Sequence, residues 1–251
     1  MRLAVVVPVF NEAAGIGPTL DALAAQRDDD FDVVFVDNGS TDGSADLIGA
    51  FGHPRWRVID EPQKGTGAAA DTGMRAAIAA GAELLARTDA DCLPRADWTA
   101  AIRRSLTPRS EGGRGLRLVG GELVPRTDEG LGWPTRAVLR GAVHLAEAFG
   151  RLRSGNRDPA YLGPYLMAAG CNVGITAELY LAAGGFPRTR IEDLHEDRAL
   201  VNAVRRITRD YARRGDVVVQ GSSRRVRAWG LKNTLLWYRD HAYRPELVDI
   251  R

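Results

Sequence analysis

Strand and helix alternate through the first hundred residues. Short β-branched runs empty into turns, and apolar positions then resume at helical spacing. Four such units leave little choice of architecture, because each helix must carry the chain back so that successive strands lie parallel. Leu3–Val7 opens the series as a continuous apolar run, the pattern of a strand covered on both faces. Asn11 follows, placed to cap a helix through Leu20 and Leu23. Phe31–Val36 is the second strand, and the turn signal Asp37-Asn38-Gly39-Ser40-Thr41-Asp42 divides it from helical positions at Ala45, Leu47, Ile48 and Phe51. Trp56–Ile59 and Glu83–Thr88 read as the third and fourth strands, with an alanine-rich helix over Ala68–Ala80 between them. The expected fold is α/β, a Rossmann-like, mostly parallel sheet with helices on both faces.

The rhythm weakens after residue 100. Arg109–Arg117, rich in Gly and Arg, reads as a mobile loop, and Leu118–Val124 as a strand. Ala137–Leu152, Ala177–Ala183, Leu200–Tyr211 and Asn233–His241 read as helices, and Val217–Val219 as a strand. No linker separates the halves, so residues 1–100 and 101–251 are expected to be two parts of one compact domain. A chain of 251 residues buries roughly 70–75% of its extended surface, enough for one substantial core. With 34 Lys and Arg against 32 Asp and Glu, the net charge of +2 demands no nucleic-acid partner. Cys92 and Cys171 make neither a disulfide framework nor a zinc site, which suits a reducing compartment. The N-terminal apolar stretch is too short for a signal peptide, and no window reaches the ~20 apolar residues of a spanning helix. A cytoplasmic protein is expected.

In open parallel sheets ligands bind beyond the carboxyl ends of the strands. Here those ends carry Pro8, Phe10, Asn11 and Glu12, then Asp37, Asn38 and Asp42, then Asp89-Ala90-Asp91. Asn11 and Asp42 also suit helix capping, and Asp37-Asn38-Gly39 also suits plain turn chemistry. Asp89 and Asp91 would repel each other in a desolvated cleft. A divalent cation between them and a diphosphate reverses that penalty, and hard oxygen ligands suit Mg2+ or Mn2+.

VVVPVFNE, VDNGSTDGS and TDADCLP, at these separations, resemble the family 2 glycosyltransferases of the GT-A fold. Ala169-Gly170-Cys171-Asn172, Gly184-Gly185-Phe186 and Glu196-Asp197 extend the similarity, so that it covers residues 3 to about 226. The resemblance implies a nucleotide-sugar half over residues 1–100 and an acceptor half over 101–251. Pro8, Val9, Phe10, Glu12, Asp37 and Asn38 would line the nucleotide site, with Asp37 facing the base. Asp89 would lie near ribose and metal, and Asp91 would bind the metal bridging the two phosphates. Asp197 would take the proton from the acceptor hydroxyl and make the reaction inverting, with Asp193 and Glu196 as other carboxylates in reach. Gly170, Asn172 and Glu196 would fall on the acceptor or donor-sugar side. Ser223-Arg224-Arg225 would reach the diphosphate or an anionic acceptor, or else form a solvated basic turn. Ala69-Ala70-Asp71-Thr72-Gly73 departs from the family's Ala-Arg-Asn-x-Gly, which leaves Asp71 a weak candidate, and a third metal ligand, such as His241, is fixed by no motif.

The implied donor is a UDP- or GDP-linked sugar, and the acceptor a glycan, a lipid-linked molecule or a small molecule. Ala137–Leu152, with the aromatic Trp229, Trp237, Tyr238 and Tyr243, offers a face for peripheral contact at the inner side of a membrane, against the alternative of ordinary core-facing helices. Three other readings stand beside this one. Gly65-Thr66-Gly67-Ala68-Ala69-Ala70 fits a loose dinucleotide pattern, but after the third strand rather than the first. A nucleotidyltransferase would use a similar acidic site, but PVFNEAAG is not its Gly-rich basic phosphate loop. A non-catalytic nucleotide-sugar-binding protein is the third.

Overall fold

The structure is a computed structural model that describes residues 1–152, 156–188 and 196–240. In chain order the elements are β1 (Leu3–Val9), α1 (Gly17–Ala24), β2 (Phe31–Asp37), α2 (Ser44–Phe51), β3 (Trp56–Asp60), α3 (Thr66–Ala79), β4 (Leu84–Arg87), β5 (Leu93–Pro94) and α4 (Trp98–Leu106). There follow β6 (Leu118–Pro125), α5 (Trp133–Leu152), β7 (Val173–Thr176), α6 (Ala177–Ala182), α7 (Glu196–Arg205), β8 (Tyr211–Gly221) and α8 (Arg224–Asp240), the last broken at Gly230. The strands form one sheet in the order β3-β2-β1-β4-β7-β6-β8-β5. Only β7 and β5 run against the rest, so the expectation of a mostly parallel α/β sheet holds.

The apolar runs are buried on both faces, as their composition requires. Val5, Val7, Phe35 and Leu84 pack on one side with Leu20, Trp98 and Ile102, while Val6, Val34, Val36 and Leu85 pack on the other with Met74, Phe186 and Leu200. Alanines and glycines let α3 lie close to the sheet. A Cβ on Gly73 would come within 2.4 Å of Val6 and 2.7 Å of Val36. The β1–β4 ladder ends at Val6 opposite Arg87, and Pro8 falls beyond it, where its missing N–H deprives no partner strand. At this point the strand order reverses direction from β1, the position beyond which open α/β sheets bind their ligands.

Several elements differ from the expectation. Asn11 does not cap α1, which begins at Gly17 with Pro18 in its first turn. Its backbone is left-handed (φ 51°), its N–H donates to Ser40 Oγ, and its amide oxygen accepts from Thr41 N–H. It therefore ties the β1 loop to the β2 loop. The helix expected over Leu200–Tyr211 lies earlier, at Glu196–Arg205, because Thr208 and Asp210 turn the chain and Tyr211 already starts β8. β7 was not expected, being four residues long and interrupted by Gly174. The loop after α4 is tied down: Arg114, Gly115 and Leu116 donate backbone bonds to Arg104, Thr107 and Ser105. Among the described residues no helix is long and apolar enough to cross a membrane. Of the aromatic cluster proposed for membrane contact, Tyr243 lies outside the described residues.

Candidate active site

The ends of β1, β2 and β4 bring the acidic residues together. Val9 pairs with Asp37 across the sheet, so the β1 and β2 loops leave the strands side by side. Val9 itself is a core residue whose carbonyl accepts from Asn38 N–H. Asn38 is committed as a strut: its amide donates to the Glu61 and Gln63 carbonyls and accepts from Gly65 N–H. The carboxylate of Asp37, mostly buried at the end of β2, accepts from Ser40 N–H. Lys64 holds its ammonium 4.2 Å from the centre of the Phe10 ring, a cation–π contact. Pro8 and Phe10 are half-buried. Asp42 accepts from Ser44 N–H and Ala13 N–H, which fixes the α2 entrance.

Each aspartate of the Asp89-Ala90-Asp91 pair has its own arginine. Arg224, at the start of α8, makes a two-pronged bond to buried Glu12 (2.8 and 2.9 Å) and reaches Asp91 Oδ2 at 2.8 Å. Burial pushes the Asp91 carboxyl up, but Arg224, and Arg225 by its charge, hold it below the ordinary range. Arg126 donates to the Asp91 carbonyl at 2.9 Å and is itself held by Asp128. Arg87, at the end of β4, is 1% exposed and donates to Asp89 Oδ1 at 3.3 Å and to Glu196 Oε1 at 3.4 Å. Asp89 stays above its ordinary range, because burial outweighs Arg87 and because Asp91 and Glu196 repel its charge. Two like-charged aspartates thus sit at one strand end, one held ionised and the other pressed toward neutrality.

Beside them stands Asp197, in the first turn of α7. Its carboxylate accepts from Arg198 N–H at 2.6 Å, and the Gly170 backbone also bonds to it. Burial and the neighbouring Glu196 push its pKa up to about 6. Glu192, Asp193, His195 and His241 lie outside the described residues.

Two residues singled out from the sequence are taken up by bonds within the fold. Asn172 is fully buried, with its amide oxygen taken by Trp98 Nε1 and its amide nitrogen by the Glu122 and Val217 carbonyls. Asp71 is bonded by Tyr180, Arg75 and Arg188, and the Tyr180 hydroxyl in turn accepts from Phe186 N–H. That network fixes the Gly184-Gly185-Phe186 loop over α3. Gly67 serves the same contact, since a Cβ there would meet the Pro187 carbonyl at 2.3 Å. The glycine pattern of residues 65–70 is thereby used for packing, and no feature of it points to a dinucleotide. Arg87, Arg126 and Lys64 stand against the candidate residues and were not singled out from the sequence. A signal existed for Arg87 alone, the charge ending the apolar strand Leu84-Leu85-Ala86.

The residues present suit a divalent cation of the magnesium type. Such an ion takes one or two carboxylates and fills its other positions with phosphate oxygens and water. Asp91 and Asp89 supply the carboxylates, and the positive Arg224 already stands against Asp91. Among the described residues no group of three His, Cys, Asp or Glu side chains is arranged to hold a metal unaided. The donor set fits an ion that arrives with a diphosphate, not a permanently caged one.

Residues 4–106 match the sequence profile described as Glycosyl transferase family 2. Glycosyltransferase AglE of Haloferax volcanii is 33% identical over 126 residues, which is 48% of this chain and 39% of AglE. The mannosyltransferase PcManGT from Pyrobaculum calidifontis, solved in complex with GDP-Man and Mn2+, superposes with a TM-score of 0.60 at 24% identity, covering 87% of this chain and 56% of that one. Residues 1–349 of S. aureus TarS, solved in complex with UDP-GlcNAc, superpose with a TM-score of 0.63 at 15% identity, covering 89% of this chain and 59% of that one. The fold is therefore GT-A. The chain spans about 39% of the length of AglE and less than two thirds of these two solved chains.

Proposed function

We propose that this chain, with residues 4–106 matching family 2 glycosyltransferases and the whole in the GT-A fold, moves a sugar from a nucleoside-diphosphate sugar to an acceptor hydroxyl. One observation carries the reading. Asp89 at the β4 end and Glu196 of α7 bond the same buried arginine, Arg87, which supports a reading with the diphosphate and metal on one side of it and the candidate base Asp197 on the other.

Asp37, Pro8 and Phe10 receive the nucleotide at the β1 and β2 ends. Asp91 and Asp89 would hold Mg2+ or Mn2+, which when bound supplies Lewis-acid neutralisation of the charge developing on the leaving diphosphate. Arg224 and Arg225 add positive charge on the same side. Asp197 accepts the acceptor's hydroxyl proton as that oxygen bonds to the anomeric carbon. The bond from that carbon to the diphosphate breaks, its electron pair leaves with the nucleoside diphosphate, and attack opposite the departing group inverts the centre. A base poised near neutral pH is well matched to this step, commonly worth about 10²–10⁴ in rate. UDP- and GDP-linked sugars are the donors to try first, by analogy with TarS and PcManGT. A glycan, a lipid-linked molecule or a small hydroxyl compound is the acceptor class.

The test is release of nucleoside diphosphate from GDP-mannose and from UDP-N-acetylglucosamine, with Mn2+ and a panel of glycoside and lipid-phosphate acceptors. Asp91→Ala should abolish metal-dependent nucleotide binding. Asp197→Asn should keep binding and lose transfer by at least about a hundredfold. Undiminished turnover in Asp197→Asn would move the base elsewhere.

A further inference from the structure

A guanidinium at the end of a central parallel strand is an expensive choice. Its neighbours on that face of the sheet are Leu85, Val173 and Phe186, and the β4 position would ordinarily be apolar. Arg87 nonetheless lies fully inside, its charge 5.0 Å from the Phe186 ring centre, and the chain is shaped around it. Gly170 leaves it room, for a Cβ there would stand 3.0 Å from Nη1. Among the described residues its bonds are few and long: 3.3 Å to Asp89, and 3.4 and 3.5 Å to a single oxygen of Glu196. Nε has no hydrogen-bond partner among the described residues. A purely structural buried arginine is normally saturated by short, two-pronged bonds. Arg205 comes close to that standard, with bonds to Asn202, Asn156 and Gly163.

What Arg87 does have is position. Asp89 belongs to the β4 loop, while Glu196 and Asp197 belong to α7, and Arg87 is the positive charge between them. We propose that Arg87 is a positioning residue for glycosyl transfer, holding the donor-side Asp89 and the base-bearing Glu196-Asp197 turn in one constellation. This rests on the transferase reading above. Arg87 touches neither donor nor acceptor in this account, and acts through the carboxylates it spans. Without it, Asp89, Asp91, Glu196 and Asp197 would face one another with no positive charge between the two pairs. The base turn would then be free to swing away from the donor side. The groups acting most on Asp197 are Glu196 beside it, the Arg198 and Gly170 backbones, and Arg87 across from β4.

The experiment compares Arg87→Met, Arg87→Lys and Glu196→Gln with the wild type. Binding of UDP and GDP with Mn2+ is read by titration calorimetry, and release of nucleoside diphosphate across pH 5–9 gives kcat and KM. Arg87→Met should keep nucleotide affinity within about threefold while kcat falls about a hundredfold or more, the size of a lost general-base contribution. Arg87→Lys should recover part of kcat, because it restores the charge without the fork. The acid limb of the kcat profile should move up by about one unit in Arg87→Met and down in Glu196→Gln, since one removes a positive neighbour of the base and the other a negative one. A structural role alone gives no such opposed shifts. If Arg87→Met does not fold, the lysine rescue and the downward limb of Glu196→Gln carry the test. An Arg87→Met enzyme with wild-type kcat, a parallel loss of nucleotide binding, or limbs that move together would overturn the inference and leave the transferase reading standing. A wild-type chain that binds no nucleotide and transfers nothing would overturn both.

Discussion

Asp197, the proposed base, occupies a position that costs the fold stability. Burial and Glu196 raise its pKa to about 6 from the ordinary 3.8. Well below pH 3.8 the carboxyl is protonated in folded and unfolded chains alike, and its pKa shift favours the folded state in full. Between pH 3.8 and about 6 the unfolded chain ionises while the folded one resists, so stability falls across that window and stays lower above it. Asp197→Asn should therefore raise Tm at pH 7.5 by a few degrees, with little or no gain at pH 3, in calorimetric melts at both values. An equal shift at both pH values would mean that the carboxyl is not perturbed. At this scale the sequence was legible where chemistry recurs at strand ends. Asp37, Asp89, Asp91, Glu12 and Asp197 were all singled out; in the structure Glu12 and Asp91 meet at Arg224, and Asp89 and Glu196, the neighbour of Asp197, meet at Arg87. It was not legible where a side chain's role depends on its partner. Nothing in Asn172 or Asn38 taken alone tells a ligand-facing amide from a strut, and only the carbonyls around them decide it.

Elements were readable in proportion to their apolar periodicity. β1, β2 and α3 are long enough to display a pattern, and the sequence places them to within a few residues. β7 and β5 have four and two residues, and they exist because neighbouring strands supply edges, not because of any local preference. The register of α7 was missed because its apolar positions run toward Ile207, while Thr208-Arg209-Asp210 turns the chain on side-chain bonds. The close seat of α3 on the sheet makes a sharper claim. Gly73→Ala adds helix propensity of about 1 kcal/mol but drives a methyl into Val6 and Val36, neither of which can rotate away in a packed sheet. Net destabilisation of about 1–3 kcal/mol is expected, read as a lower urea midpoint with unchanged slope. A midpoint at or above that of the wild type would show that α3 sits less tightly than described.

At the scale of the whole molecule, one sheet joins the two halves of the chain. β1 to β4 bring the nucleotide-side residues, β6 to β8 continue the same sheet, and α7 and α8 return across its carboxyl edge to deliver Asp197 and Arg224. The parallel first half followed from the strand–helix rhythm. The closure by α8 onto Glu12, across 212 positions, had no sequence signal beyond a basic turn. The central claim is that this edge is a nucleotide-diphosphate and metal site. Thermal denaturation with UDP, GDP and NAD, each with and without Mn2+, for the wild type and Asp91→Ala, tests it most directly. A ligand bound to the folded state alone adds about 2.7 kcal/mol at a hundred times its dissociation constant, a shift easily seen. A rise in Tm with UDP or GDP that needs Mn2+ and disappears in Asp91→Ala is the predicted result. A rise with NAD alone, or none with any nucleotide in a folded protein, would contradict the account.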